Sequence, residues 1–233
     1  MDLHGVDLSG SNLTGTNLSA SNLTGANLTG TNLTSANLYG ANLNLARLSK
    51  SRLDNANLEV ANLRDADLSG ANLTSVNLVS ADLSDADLTG TNFAGAKMTS
   101  AILRYANMTL ANLAGVDLRN ASLRSAILVK SNLGNADLSG ANLRDTNIEL
   151  AHLKGTNFHG AELTGAKFQC SEYWLNESIR FGVAPCLGRQ FQDEKPTTTN
   201  QKPSVYAPRP CINKRTTTYY DHKWGVQVST TCG

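Results

Sequence analysis

For its first 168 residues this chain does without cysteine; Cys170, Cys186, Cys211 and Cys232 all fall in the last 64 positions. Whatever holds the first part together is therefore neither a disulfide nor a thiolate metal site. No two cysteines stand as CxxC, which argues against zinc in the remainder too. Long apolar runs are missing: none approaches the ~20 residues of a membrane span. No signal peptide is read either, because a regular pattern already begins at Leu3. Charge of one sign is missing as well, and a net +1 argues against a general nucleic-acid binder. Glycines recur at spacings of five and never as a phosphate loop, and the aspartates do not follow a calcium-binding nonapeptide. The four histidines, His4, His152, His159 and His222, read as surface residues. With no base, nucleophile and metal converging, we expect no catalytic residue, cofactor, metal ligand or small-molecule substrate.

What the sequence does contain is one repeat. A large apolar residue stands at every fifth position from Leu3 to Phe168, and leucine fills 28 of the 34 places. Two residues before each stands something small, such as Ala26, Ser51, Ala71, Thr91 or Val116. Asn or Asp mostly lies between, and Thr, Ser, Gly or a charged residue follows. A period of five suits neither regular element. On a helix successive leucines would drift by roughly 140°, and on a flat strand they would alternate faces. Within a unit, however, the small residue and the leucine are two apart and can point the same way. A corner must then reset the phase, and Gly10, Gly15, Gly25, Gly30, Ser35, Asn55 and Asp65 are suitable corner residues. Short sides joined by corners wind into a solenoid with leucine inside. Outward places should tolerate change, so Asn92→Asp is expected to cost within about 0.5 kcal/mol.

These units, seen complete twice in Ala61-Asn62-Leu63-Arg64-Asp65-Ala66-Asp67-Leu68-Ser69-Gly70, resemble the pentapeptide repeat family, whose consensus is Ala-Asp/Asn-Leu-x-x. The resemblance covers residues 1–168. It implies an all-β, right-handed quadrilateral β-helix with four units per coil, in which residues twenty apart stack at ~4.8 Å. Eight coils would make a rod ~40 Å long. Some members of the family are DNA mimics that inhibit gyrase, using a strongly negative rod and a C-terminal helix for dimerisation. Others are cyanobacterial-type repeat proteins of unknown role, which the Asn-Leu-Thr style of the early units resembles.

After residue 168 the pattern stops, and residues 169–233 read as an appendage. Ser171 can cap a short helix over 172–181, bringing Tyr173, Trp174, Leu175 and Ile179 onto the open end of the solenoid. A Thr-, Gln- and Pro-rich linker is read at 182–204, and a β-hairpin over 205–233, flanked by Cys211 and Cys232. All four cysteines are available for disulfides.

Stacking the sequence by twenties exposes two surface features. Arg64, Arg104, Arg124 and Arg144 form a column interrupted by Ser84, with Asp65, Asp85 and Asp145 beside it. It reads as a mixed-charge face or as a strip for an acidic partner. Leu110, Ile127, Val129 and Leu150 stand outward on one face, with Ile102 on the preceding one, as a docking surface for the tail or another subunit. In the appendage, Tyr219, Tyr220 and Trp224 are expected partner contacts. The functional expectation is a non-enzymatic structural or interaction protein, a rod or spacer attached through its appendage to protein subunits of an assembly. A homo-oligomer is compatible with this. Of such assemblies a virion is favoured over the cytoplasm, because virion surfaces tolerate disulfides without an export signal. The rival is a DNA-mimicking gyrase inhibitor, from which this chain departs in its near-neutral rod and arginine column.

Overall fold

The computed structural model describes residues 1–168 and the two strands Thr216–Asp221 and Val226–Thr231. From Asp2↔Asn22 to Asn147↔Lys167, parallel bridges join every residue that precedes a register leucine to its equivalent twenty positions on. A coil is thus four units. We number its sides from one to four by the bridging columns that begin at Asp2, Asp7, Asn12 and Asn17.

One unit shows why five residues suffice. In residues 71–75 the Ala71 N–H donates to the Leu68 carbonyl at 2.9 Å and closes the turn from the preceding unit. Asn72 donates to Ser51 in the coil below; Leu73 and Ser75 donate to Asn92 and Ala94 in the coil above, at 2.9, 2.7 and 3.0 Å. The one remaining amide, Thr74, donates to the Asn72 Oδ1 at 3.3 Å. Every backbone donor of the unit is therefore satisfied, which a buried-edged structure requires. It also explains the asparagine or aspartate of the repeat, whose side chain captures the amide two residues on.

The same side chains bond between coils. Asn92 Nδ2 donates to Asn72 Oδ1, Asn112 to Asn92 and Asn132 to Asn112, at 3.2, 2.9 and 3.1 Å. Asn92 Nδ2 also reaches Thr74 Oγ1 at 2.9 Å, and the residue is half-buried. The expectation that Asn92→Asp is nearly neutral is corrected by this: a carboxylate cannot donate either bond, and about 1–2 kcal/mol is at stake.

Inside, leucine and alanine are fully enclosed from Leu23 to Leu143, and Phe93, Met98 and Met108 take the leucine place without exposure. Where Ser or Thr replaces the inward alanine, its hydroxyl is bonded to a leucine carbonyl: Ser51 to Leu48 at 2.6 Å, Thr91 to Leu68 at 3.0 Å. The last described turns enclose Phe158 and Phe168 edge to face, ring centres 6.4 Å apart.

Every fifth residue from Gly5 to Gly165 turns the corner with positive φ. A β-branched residue pays most for that conformation, and Val60 holds it at φ 59. Val60→Gly should therefore stabilise the rod by about 0.5–1 kcal/mol after the entropy lost to glycine. Thermal denaturation should register this as a rise of about 2 °C; a fall would show that the Val60 side chain contributes packing worth more than the strain.

In the appendage, β1 (Thr216–Asp221) and β2 (Val226–Thr231) pair antiparallel, Tyr219 opposite Val228 and Tyr220 opposite Gln227. The expected helix at 172–181, the linker at 182–204, Trp224 and all four cysteines lie outside the described residues. No helix among the described residues is long and apolar enough to cross a membrane.

Candidate functional site

The inward-facing residues are consumed by packing, so chemistry or recognition must use what points out. Among the described residues no three of His, Cys, Asp and Glu come together as a metal set. His152 and His159 lie on the third and fourth sides; His152 stacks above Asn132 and beside Gly134, and the His159 amide donates to Asn157. Aspartates in the asparagine place keep its role. The Ser9 amide holds the Asp7 carboxyl below its usual range by donating to it at 2.9 Å. Asp117 is lowered chiefly by Arg119, which donates from Nε and Nη2 at 2.9 and 2.7 Å.

The apolar residues singled out from sequence do gather. Leu110 and Leu150 turn the corner after the second side, with Lys130 between them in the stack, and are 59% and 46% exposed. Ile127 stands in the bridging column of that second side at 41% exposure, and Val129 is half-buried beside it. Leu110 is tied to the Val129 carbonyl through its own amide at 3.0 Å. Bridges run from Ile127 to Asn147 and from Asn147 to Lys167, so the described rod ends two coils above Ile127 and one above Leu150 on the same side. Ile102 is half-buried on the first side.

One residue of this surface escaped the sequence reading. Tyr105, 56% exposed, occupies the corner between the first and second sides. The signal was present: it is a bulky aromatic in a slot otherwise given mostly to Gly, Ser, Asn or Asp. Leu45 and Val60 break the same rule lower in the rod, and exposed Tyr39 lies next to the corner below Val60.

The arginine column lies on the first side. Arg64 reaches Asp82 at 3.7 Å and Asp85 at 3.4 Å, Arg124 reaches Asp145 at 3.9 Å, and Arg144 reaches Glu162 at 2.7 Å. Arg104 Nε donates to the Ser122 hydroxyl at 3.1 Å and has no carboxylate partner among the described residues. All these side chains are substantially exposed, so each pair contributes at most about 1 kcal/mol. Their importance is positional.

A four-sided solenoid whose interior is filled by leucine and whose variety is all external defines a class of proteins that present surfaces. The pentapeptide repeat family model matches residues 2–40, 41–78, 77–115, 106–145 and 131–169, and the chain belongs to that family of right-handed quadrilateral β-helices. Among solved structures it is similar to HetL of the cyanobacterium Nostoc sp. strain PCC 7120, a pentapeptide repeat protein involved in regulating heterocyst differentiation. Identity there is 32%, over 72% of this chain and 87% of that one, with a TM-score of 0.32. It is also similar to a pentapeptide repeat protein of the Arabidopsis thaliana thylakoid lumen, at 35% identity over 48% of this chain and 71% of that one, TM-score 0.37. QnrB1, a plasmid-mediated fluoroquinolone resistance protein, is 17% identical over 72% of this chain and 91% of that one, TM-score 0.47, a likeness that concerns the fold alone. No curated protein matches the chain.

Proposed function

We propose that this protein is non-enzymatic and serves as a rigid rod or spacer, joined to the protein subunits of a larger assembly through residues 169–233. The observation that carries the reading is the placement of the apolar patch. Leu110, Ile127, Val129 and Leu150 are gathered on the second side and the corner that follows it, in the three coils beneath the point where the described rod ends. A cluster of exposed apolar residues on a mostly polar rod marks a contact surface. Their position suits docking next to the appendage, whose Tyr219, Tyr220 and Trp224 supply the residue types of binding hot spots. A virion is the assembly we favour, since the four cysteines concentrate in the attachment piece.

The DNA-mimic reading asks for something this rod has little of. Residues 1–168 hold 14 acids and 12 bases, a net −2 along ~40 Å, whereas duplex DNA carries one negative charge per ~1.7 Å. Gyrase supercoiling measured with purified full-length protein tests the choice. No inhibition is expected near stoichiometric concentration; potent, salt-sensitive inhibition would overturn the structural reading in favour of the mimic.

A further inference from the structure

Two diagonally opposite corners of the rod each carry a charge without an ionic partner, set among apolar side chains. At the corner after the second side, Lys130 stacks between Leu110 and Leu150, and Val129 precedes it in the chain. The Leu110 amide donates to Val129 and the Lys130 amide to Glu149, both at 3.0 Å. At the corner after the fourth side, four coils lower, Glu59 stacks between Tyr39 and Val79, and Val60 follows it. The Gly40 amide donates to Glu59 at 2.9 Å and the Val60 amide to Val79 at 3.0 Å. Tyr39 and Val60 are 48% and 51% exposed. Among the described residues Lys130 meets no carboxylate, and the Glu59 carboxylate accepts only from Asn77 Nδ2, at 3.1 Å.

We infer that the upper of these corners receives the lower corner of a second copy of the chain, the two rods lying parallel and offset by four coils. In a four-sided coil the chain runs in opposite directions at diagonally opposite corners. When parallel rods meet corner to corner, the fifth residue of a unit at one corner therefore faces the fourth residue of a unit at the other. An offset of four coils sets Leu110 on Tyr39, Lys130 on Glu59 and Leu150 on Val79, and in the adjoining column it sets Val129 on Val60. The two places left pair Thr109 with Gly40 and Glu149 with Ser80, which adds no like charge. An offset of three coils would set Leu110 on Glu59 and Lys130 on Val79, and one of five would set Leu150 on Glu59. The pattern thus selects four, the offset at which the two charges meet and apolar meets apolar. A two-fold across the rods keeps each column opposite itself, and at the upper corner it would set Lys130 on Lys130.

Each rod turns a different corner to each of its two neighbours, so the contact is heterologous and does not close at a pair. It spans three coils, ~10 Å of a narrow ridge, well below the ~800 Å² per partner of a standard interface. Association should accordingly be weak, reversible and sensitive to salt. This contact between rods goes beyond attachment through residues 169–233 and does not depend on it.

Zero-length carbodiimide cross-linking of the full-length chain, read by mass spectrometry, tests the inference. Within one rod Lys130 and Glu59 lie at opposite corners and ~19 Å apart along the axis, so an amide between them forms only between copies. That cross-link is expected at about 50 mM salt and should fall several-fold at about 500 mM. Sedimentation velocity at protein concentrations up to about 1 mM, the range of weak contacts, should show a mass that rises past that of a dimer. Lys130→Glu and Glu59→Lys should each weaken association ~10-fold at low salt, and the double variant, which restores opposite charges, should recover it. Neither substitution threatens the fold. Asp85 holds the corner place at φ 61 and Lys50 at φ 57, and Arg119 holds the place in its unit that Glu59 holds in its own; unchanged melting temperatures would verify this. A monomer at every concentration in low salt would overturn the inference. So would association without the Lys130–Glu59 cross-link, or a double variant that fails to recover. Attachment through the appendage is read separately, by incorporation, so the failure of one reading leaves the other standing.

Discussion

Leu83→Asp should destroy the middle of the rod. Leu83 is without solvent exposure and stacks between Leu63 below and Leu103 above, in a column with no polar side chain to receive a charge. The carboxylate would have to be buried unpaired or protonated, at a cost of several kcal/mol. Relaxation offers little escape, because the Leu83 amide is bound to the Ile102 carbonyl of the next coil at 2.7 Å and fixes where the side chain points. Each coil is held chiefly by its neighbours, so a break in one exposes the faces of two. Denaturant unfolding followed by circular dichroism should rank three variants. Leu83→Asp should be unfolded or lose more than about 3 kcal/mol; Asn92→Asp should lose about 1–2 kcal/mol through its ladder bonds; Ser100→Asn, at an exposed corner, should stay within about 0.5 kcal/mol. Equal stability of the first and last would contradict the inward assignment of the leucine register.

The leucine interior and the corners were readable because both are properties of a single unit. A residue such as Leu63 must be buried, and Asp65 must turn the chain before Leu68 can be buried too. The asparagine ladder was not readable in the same way. Asn72 looks merely polar and outward until its partner twenty residues away, Asn92, is known to lie directly above it. That is why the sequence alone gives Asn92→Asp too small an expected cost, whereas the burial of its neighbour Phe93 is legible in the sequence. The apolar patch was legible once positions were stacked by twenties, since Leu110 and Leu150 share a column. Tyr105 is easily passed over because its corner column, which also holds Asp65, Asp85 and Asp145, reads as a charged one.

Removing the appendage beyond Gly182 should leave a folded rod that no longer joins the assembly proposed for it. Residues 1–168 contain the entire leucine register and its inter-coil bonds, and a chain ending at Gly182 also keeps the segment expected to cover the last coil. It loses Trp224, Tyr206, Tyr219 and Tyr220, aromatics of the kind that dominate binding energy when buried at an interface. It also loses Cys186, Cys211 and Cys232. The rod that remains has a few exposed apolar residues, among them the Leu110 and Leu150 patch, and weak, exposed ion pairs, a surface suited to supporting contacts more than to anchoring. The decisive measurement is the fraction of the chain that co-sediments with the high-mass assembly proposed for it, full-length against truncated, with circular dichroism confirming that both are folded. Attachment through the appendage predicts that the truncated chain is folded and stays in the unassembled fraction; normal incorporation of the truncated rod would contradict it and transfer the anchor to Leu110, Ile127, Val129 and Leu150.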